Sequence, residues 1–149
     1  MSAANDPVSS DAIIRALYDV ISGPAGRPRD PERFRSLFLP GARLVIVHRN
    51  PQGSNEARFL TPDDYIAEVF PYLLENGFYE NQVAERAEAC GTIAHVWSTY
   101  EARHTADDPT PFARGVNSIQ LLNDGRRWWI VNLYWQREVP VNPIPAKDQ

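Results

Sequence analysis

The sequence has one cysteine, no long apolar run and no concentration of positive charge. Cys90 is the single cysteine among 149 residues, which excludes an internal disulfide and argues against a cysteine-based zinc site. No apolar stretch approaches the roughly 20 residues that span a bilayer, and the polar start MSAANDPVSSDA lacks the apolar core of a signal peptide. The net charge is −4 and the basic residues are scattered, so neither nucleic acid nor a membrane is an expected partner. We therefore expect a soluble cytoplasmic protein.

Motifs for metals and nucleotides are also lacking. The three histidines, His48, His95 and His104, do not have the spacing of metal ligands. The sequence contains no HExxH helix, no phosphate-binding P-loop and no glycine-rich dinucleotide motif. We expect neither a metal nor a nucleotide cofactor.

The first half of the sequence contains the signals of three helices. Ser9 or Ser10 can cap a first helix that runs to about Ser22, and its apolar face is formed by Ile14, Leu17, Tyr18 and Ile21. A short second helix begins in DPERFRSLF, where proline follows a capping aspartate. A third begins in TPDDYIAEVFP with a capping threonine and an acid three residues later, and its internal proline should kink it.

The second half is dominated by long strands. A first strand, ARLVIVHR, lies between the second and third helices; residues 79–89 and 92–104 then form one hairpin, and residues 112–122 and 127–138 another. This order predicts an α+β fold with helices on one face of an antiparallel sheet. We expect a single domain over residues 1–149, whose proline-rich end, residues 139–149, is extended along the surface.

Two asparagines interrupt the apolar second hairpin, RGVNSIQLLNDGRRWWIVNLYWQRE. If Asp124 and Gly125 form a two-residue turn, Asn117 lies opposite Asn132 on the sheet face that also carries Tyr134. A buried, unpaired amide costs roughly 1–3 kcal/mol, so the two amides either bond only each other or present polar groups to a ligand. We favour a ligand, held in a mostly apolar pocket under the helices.

The first hairpin supplies a candidate proton carrier. With its Cys-Gly pair as the turn, Glu85 lies opposite Val96, and Ser98 and Tyr100 follow on the partner strand. These partners indicate the inner face, where a carboxylate loses hydration and can serve as a general base, unless twist leaves Glu85 at the rim. His48, on the side of the first strand that also carries leucine and isoleucine, is a second candidate.

The element order and the second hairpin resemble the nuclear transport factor 2-like superfamily, with its cystatin-like cone fold. That superfamily includes SnoaL-like polyketide cyclases, ketosteroid isomerases and scytalone dehydratase, and the chain looks like a bacterial branch of it. The resemblance covers nearly the whole chain, through AIIRALYDVI, FRSLFLPGARLVI, GTIAHVWSTYEAR and GRRWWIVNLYWQRE. It implies a strongly bent antiparallel sheet with three helices on its concave face, a conical pocket between them, and a convex face that is often a dimer surface.

The resemblance to ketosteroid isomerases implies roles for individual residues. Those enzymes use a tyrosine from the first helix and a protonated aspartate from a late strand to stabilise an enolate, with a second aspartate as the base. Tyr18 and Asn117 fall at the first two positions, and an amide can donate a hydrogen bond as a neutral acid can. The base position falls at Ile46, which cannot accept a proton, so the base would be Glu85 or His48 instead.

We therefore expect a protein that binds a small, apolar, carbonyl-bearing compound and acts on it, by acid–base chemistry, as an isomerase, cyclase or dehydratase. The catalytic candidates are Glu85, His48 and Tyr18. The candidate substrate contacts are Asn117, Asn132, Tyr134, Ser98 and Tyr100. The alternative is a non-catalytic ligand-binding or dimeric interaction module of the same fold. Large side chains on the outer sheet face predict a homodimer formed through Trp129, Trp135 and Trp97.

Overall fold

The computed structural model describes residues 3–149, in which helices occupy mainly the first half and long strands the second. The α-helices are α1 (Ser10–Ile21), α2 (Pro31–Ser36), α3 (Pro62–Glu68) and α4 (Phe70–Asn76). The strands are β1 (Phe38–Arg49), β2 (Asn55–Leu60), β3 (Tyr79–Cys90), β4 (Ile93–Arg103), β5 (Ala113–Asn123) and β6 (Trp128–Arg137). Single 3₁₀ turns lie at Ala3–Asn5 and Ala146–Asp148.

The helices begin at the predicted capping residues. The Ser9 hydroxyl accepts the Ala12 amide at 3.0 Å, and Thr61 forms a reciprocal capping box at the start of α3. Pro71 lies in the first turn of α4, immediately after the helix breaks at Val69. The predicted kink is therefore a break between two short helices, because proline cannot supply the backbone donor that would continue α3.

The strands form one six-stranded, strongly curled sheet in the order β2-β1-β6-β5-β4-β3. Neighbouring strands are antiparallel except β1 and β6, which run parallel. The helices pack on one face, here called the inner face, where Ile13, Phe34, Leu44, Ile119 and Ile130 are completely buried. The α+β fold predicted from the order of elements is confirmed.

Both hairpins differ from the predicted pairing. Gly91 and Thr92 form the turn between β3 and β4, and four residues, 124–127, separate β5 from β6. In addition, Val83 in β3 and Val131 in β6 are extra residues without a cross-strand partner, each forming a bulge. Because side chains alternate along a strand, each bulge exchanges the two faces for all residues beyond it.

Segments at both ends are fixed to the domain by ion pairs. Asp6 is completely buried, and its carboxylate lies 2.8 Å from the Arg33 guanidinium of α2. Residues 139–149 run along the outer face of the sheet, where Ile144 is buried and Asp148 pairs with Arg86 at 2.6 Å. Within residues 3–149, no helix is both long enough and apolar enough to cross a membrane.

Candidate functional site

A cavity of about 380 Å³ lies between the inner face of the sheet and helices α1, α3 and α4. Most of its wall is apolar and includes Leu17, Ile21, Phe34, Ile46, Val69, Leu73, Leu133 and Trp135. Its polar side chains are Glu80, Asn117, Tyr65, Tyr72, Tyr100, His48 and Arg137. An apolar concavity with a few convergent polar groups is the usual form of a small-molecule site.

Glu80, near the start of β3, places a carboxyl group in this apolar wall. Its backbone amide donates to the Ser22 hydroxyl at 3.1 Å, which fixes the strand against the end of α1. Burial raises the pKa of Glu80 to about 8, and a hydrogen bond from the Asn117 amide opposes part of that rise. Glu80 is therefore mostly protonated at neutral pH and can both give and accept a proton near physiological pH.

Two tyrosine hydroxyls lie close to Glu80. Tyr65 stacks on Phe34 with ring centroids 5.0 Å apart, and Tyr100 comes from the middle of β4. Burial, and then the Glu80 carboxylate, raise the pKa of both tyrosines, so both remain protonated donors. Both tyrosines line the cavity, and neither hydroxyl is engaged in a side-chain hydrogen bond within residues 3–149. They are the donors that a ligand in the cavity would meet.

Tyr18 and Asn117 are close together, as the resemblance implied, but their polar groups are directed at the protein. The Asn117 amide donates to the Tyr18 hydroxyl at 3.0 Å, and that hydroxyl lies 2.6 Å from the Ser98 hydroxyl. Ser98 is completely buried and donates to the Gln82 side chain. Of the predicted substrate contacts here, Asn117 and Tyr100 line the cavity, whereas Ser98 lies behind them with Tyr18.

The predicted pairing of Asn117 with Asn132 is wrong. Asn117 pairs with Trp135, and Asn132 pairs with Gln120, because the turn is two residues longer than predicted and Val131 bulges. Asn132 therefore lies on the outer face, opposite the exposed side chain of Gln120.

The same shift moves two aromatic residues to the opposite faces. Tyr134, predicted to contact substrate, is 43% exposed on the outer face. Trp135, predicted on the outer face, packs against the core 6.3 Å from the Tyr65 ring and lines the cavity. The bulge accounts for both errors, because it reverses the alternation of side chains from Asn132 onward.

Glu85 lies opposite Ser98, on the predicted side of β3, but outside the cavity. The strand β3 is an edge of the sheet, so Glu85 remains exposed at the rim, where its carboxylate accepts a hydrogen bond from Gln82 at 2.9 Å. Glu80 was missed because it is five residues from Glu85 and so has the opposite parity in a regular strand. Only the bulge at Val83 brings both onto one face, and no local feature of the sequence marks that bulge.

His48 lines the mouth of the cavity rather than its interior. Its side chain is about half exposed, and its Nε2 lies 3.3 Å from the Glu56 carboxylate on the neighbouring strand β2. Within residues 3–149, no group of three or more His, Cys, Asp or Glu side chains could hold a metal ion.

The remaining predicted interface residues, Trp97 and Trp129, are on the outer face. Trp97 is 37% exposed, and the Arg86 guanidinium lies 5.7 Å from its ring centre. Trp129 is half-buried beneath Arg127, whose guanidinium carbon lies 3.6 Å from the ring centre. These contacts place polar and charged groups around both indoles.

Comparisons with known proteins identify the fold. No protein-family model matches the sequence, and no curated protein matches it. Solved structures are similar in fold: a protein with a cystatin-like fold from Nostoc punctiforme has a TM-score of 0.62 at 10% identity, covering 91% of this chain and 98% of its own. A nuclear transport factor 2-like protein from Silicibacter pomeroyi has a TM-score of 0.59 at 16% identity, covering 86% and 92%.

A third structure of this kind is a ketosteroid isomerase-like protein from Parabacteroides distasonis, with a TM-score of 0.60 at 10% identity, covering 92% of this chain and 98% of its own. At these identities the likeness shows the fold alone. The chain has the nuclear transport factor 2-like, cystatin-like fold that the sequence resemblance implied.

Proposed function

We propose that the protein binds a small, mostly apolar, carbonyl-bearing compound in the cavity and moves a proton on it with Glu80. The observation that carries this proposal is a carboxyl group in a mostly apolar wall, beside two tyrosines that line the same cavity. An ionised carboxylate in such a wall costs free energy that a purely structural role would not require. A polar ligand atom between Glu80, Tyr65 and Tyr100 could form hydrogen bonds with all three side chains.

The chemistry follows from the protonation states. At pH 7 roughly a tenth of Glu80 is ionised if its pKa is about 8, and this form can remove a proton from carbon next to a carbonyl. Tyr65 and Tyr100 can donate hydrogen bonds to the negative oxygen that forms. The protonated Glu80 then returns the proton to the same or another carbon. Isomerases, cyclases and dehydratases acting on carbonyl compounds share this first step.

The expected roles change accordingly. Glu80 replaces Glu85 as the proton carrier because Glu85 is exposed at the rim. Tyr65 and Tyr100 replace Tyr18 as donors to the ligand, because the Tyr18 hydroxyl is hydrogen-bonded within the protein. His48 remains at the entrance, where it can contact a ligand that extends out of the cavity.

The alternative is a module that binds the same ligand without acting on it. The observation that favours it is the closed hydrogen-bond network at Tyr18 and Asn117, which leaves fewer free donors in the cavity than the resemblance to ketosteroid isomerases implied. Both functions require the cavity, and they differ in whether Glu80 transfers a proton.

Hydrogen–deuterium exchange separates the two functions. Cyclic ketones that raise the melting temperature of the protein are incubated with it in deuterium oxide, and exchange next to the carbonyl is followed by NMR. We expect Glu80→Gln to keep ligand-induced stabilisation and to slow exchange by about 10²-fold or more, a typical contribution of general acid–base catalysis. Glu88→Gln, an exposed position on the same strand, is the matched control and should exchange as the unaltered protein does.

Equal exchange in Glu80→Gln and the control would leave only the binding module. A protein that no ketone stabilises, and whose Glu80→Gln variant behaves identically in every assay, would overturn both functions.

A further inference from the structure

A chain of side-chain hydrogen bonds leads from the solvent-exposed rim of β3 to the cavity wall. Gln82 Nε2 donates to the Glu85 carboxylate at 2.9 Å, and the Ser98 hydroxyl donates to Gln82 Oε1. The Tyr18 hydroxyl lies 2.6 Å from the Ser98 hydroxyl, and Asn117 Nδ2 donates to Tyr18 at 3.0 Å. The chain crosses the buried layer under α1 and ends at a residue that lines the cavity.

The exposed end fixes the direction of every bond in this chain. An ionised carboxylate only accepts hydrogen bonds, so Glu85 requires Gln82 to turn its amide nitrogen outward and its carbonyl inward. Ser98 must then give its single proton to that carbonyl and accept the Tyr18 proton. The Tyr18 oxygen is thereby left to accept from an amide nitrogen. All the donors point from the cavity toward the rim.

The direction of the chain determines which end of the Asn117 amide faces Glu80. In the observed direction Asn117 Nδ2 donates to Tyr18, Asn117 and Glu80 line the same cavity, and the Asn117 amide favours the ionised form of Glu80, which lowers its pKa. In the reverse direction the Asn117 carbonyl oxygen would take the place of Nδ2, and only protonated Glu80 could bond to it. The two directions therefore favour opposite protonation states of Glu80.

We propose that Glu85 is a positioning residue: acting through Gln82, Ser98 and Tyr18, it holds the Asn117 amide in the orientation that favours the proton-accepting form of Glu80. Its effect on turnover rests on the proposed function, but its effect on the proton affinity of Glu80 does not. The residue first expected to be the base thus acts on the base from outside the cavity.

The other ionisable groups around Glu80 do not account for an influence of Glu85 on the protonation of Glu80. The ionisable groups that face it are Tyr18 from α1, Tyr65 from α3 and Tyr100 from β4. Arg29 acts on Tyr65 and Arg137 acts on Tyr100, while His48 lies at the cavity mouth. None of these belongs to the hydrogen-bond chain except Tyr18, so a change at Glu85 leaves the others in place.

The sign of a pKa change tests the proposal. Glu85→Gln removes a negative charge, and Coulomb interaction alone would lower the pKa of Glu80. Without the Glu85 carboxylate the hydrogen-bond chain can reverse its direction, and the Asn117 side-chain amide can turn its carbonyl oxygen toward Glu80. This stabilises protonated Glu80 and raises its pKa. We expect a rise of about 1–2 pH units, the size of one hydrogen bond to a charged group. The measurement is a carbon-13 NMR titration of the side-chain carboxyls, with Glu80→Gln assigning the resonance.

Two further variants complete the experiment. Gln82→Met interrupts the chain without changing the charge and should raise the pKa of Glu80 similarly; combining it with Glu85→Gln should add nothing. Glu88→Gln removes the same charge from the outward side of β3 and should cause no rise. A fall or no change in the pKa of Glu80 in both Glu85→Gln and Gln82→Met would overturn the proposal.

The outcomes for the two proposals are separable. If Glu80→Gln abolishes exchange but Glu85→Gln leaves the pKa of Glu80 unchanged, the proposed function survives and the positioning role fails. If the pKa rises as expected but no ketone exchanges, the positioning role survives and proton transfer fails. If both hold, the pH profile of exchange should shift upward in Glu85→Gln by the same amount as the titration.

Discussion

Glu80 places an ionisable group where stability alone would favour an apolar side chain. The carboxyl group faces an apolar cavity, and burial holds its pKa near 8 rather than at its ordinary value of 4.5. The folded protein therefore binds a proton at Glu80 that the unfolded chain releases between these two pH values. This difference makes stability depend on pH in a direction opposite to that of a carboxylate in a salt bridge.

The sign can be tested directly. Because the folded-state pKa is raised, the favourable contribution of Glu80 is complete below pH 4.5 and is lost as pH rises toward 8. Relative to Glu80→Gln, the unaltered protein should lose stability over this range by at most about 1.4 kcal/mol per pH unit. Urea unfolding of both proteins at several pH values measures the difference. If the difference in free energy of unfolding between the two proteins does not change with pH across this range, Glu80 is not held protonated.

At the scale of elements, β4 packs closely against β5 and β6 at Gly115. Gly115 in β5 lies opposite Tyr100, and a Cβ atom at Gly115 would overlap the Tyr100 hydroxyl and lie 2.5 Å from the Gln136 carbonyl oxygen. Glycine is required here for space, since its backbone is not in the left-handed region. The absence of a side chain allows the Tyr100 hydroxyl to remain beside the cavity.

Gly115→Ala should therefore disturb both stability and the site. We expect a loss of about 1–3 kcal/mol, as for other overpacked positions, together with displacement of the Tyr100 ring. Urea unfolding measures the first effect and ketone-induced stabilisation the second. Adding Tyr100→Phe removes the nearest obstructing atom and should recover part of the lost stability. A fully additive double variant would mean that the two residues do not interact.

The elements also show what could be predicted from the sequence. Helix starts were predictable because capping depends on residues within one turn, as at Ser9 and Thr61. The hairpins were predictable from alternating apolar residues and glycine turns. Their registers were not, because a bulge depends on how a strand fits its neighbours across the whole sheet. The same holds for the candidate site. Tyr100 and Asn117 were predicted from the sequence, whereas Glu80 could not be, because its position on the inner face depends on the bulge at Val83.

At the scale of the whole molecule, the outer face of the sheet is the surface to test for self-association. Trp97 and Tyr134 are 37% and 43% exposed there, beside a groove of about 580 Å³ between the sheet and residues 139–149. Exposed aromatic side chains grouped in this way usually mark an interface. The Trp135 ring, in contrast, packs against Tyr65 and lines the inner cavity.

We predict a homodimer formed through the outer face. Sedimentation at micromolar concentration should show a dimer, and Trp97→Glu should release monomers because it places a charge in an apolar contact. Leu74→Glu, at a 39% exposed apolar residue of α4 on the helical side of the sheet, is the control and should leave the dimer intact. A monomeric unaltered protein, or a dimer that Trp97→Glu leaves unchanged, would contradict the prediction.

The bulge at Val131 also bears on how such a cavity can evolve. One extra residue in β6 brings Leu133 and Trp135 into the wall and turns Asn132 and Tyr134 away from it. A point substitution replaces one lining side chain, whereas gain or loss of a single residue here exchanges a whole row of them at once. The length of one strand, as much as the identity of its residues, therefore determines which ligands the pocket can accommodate.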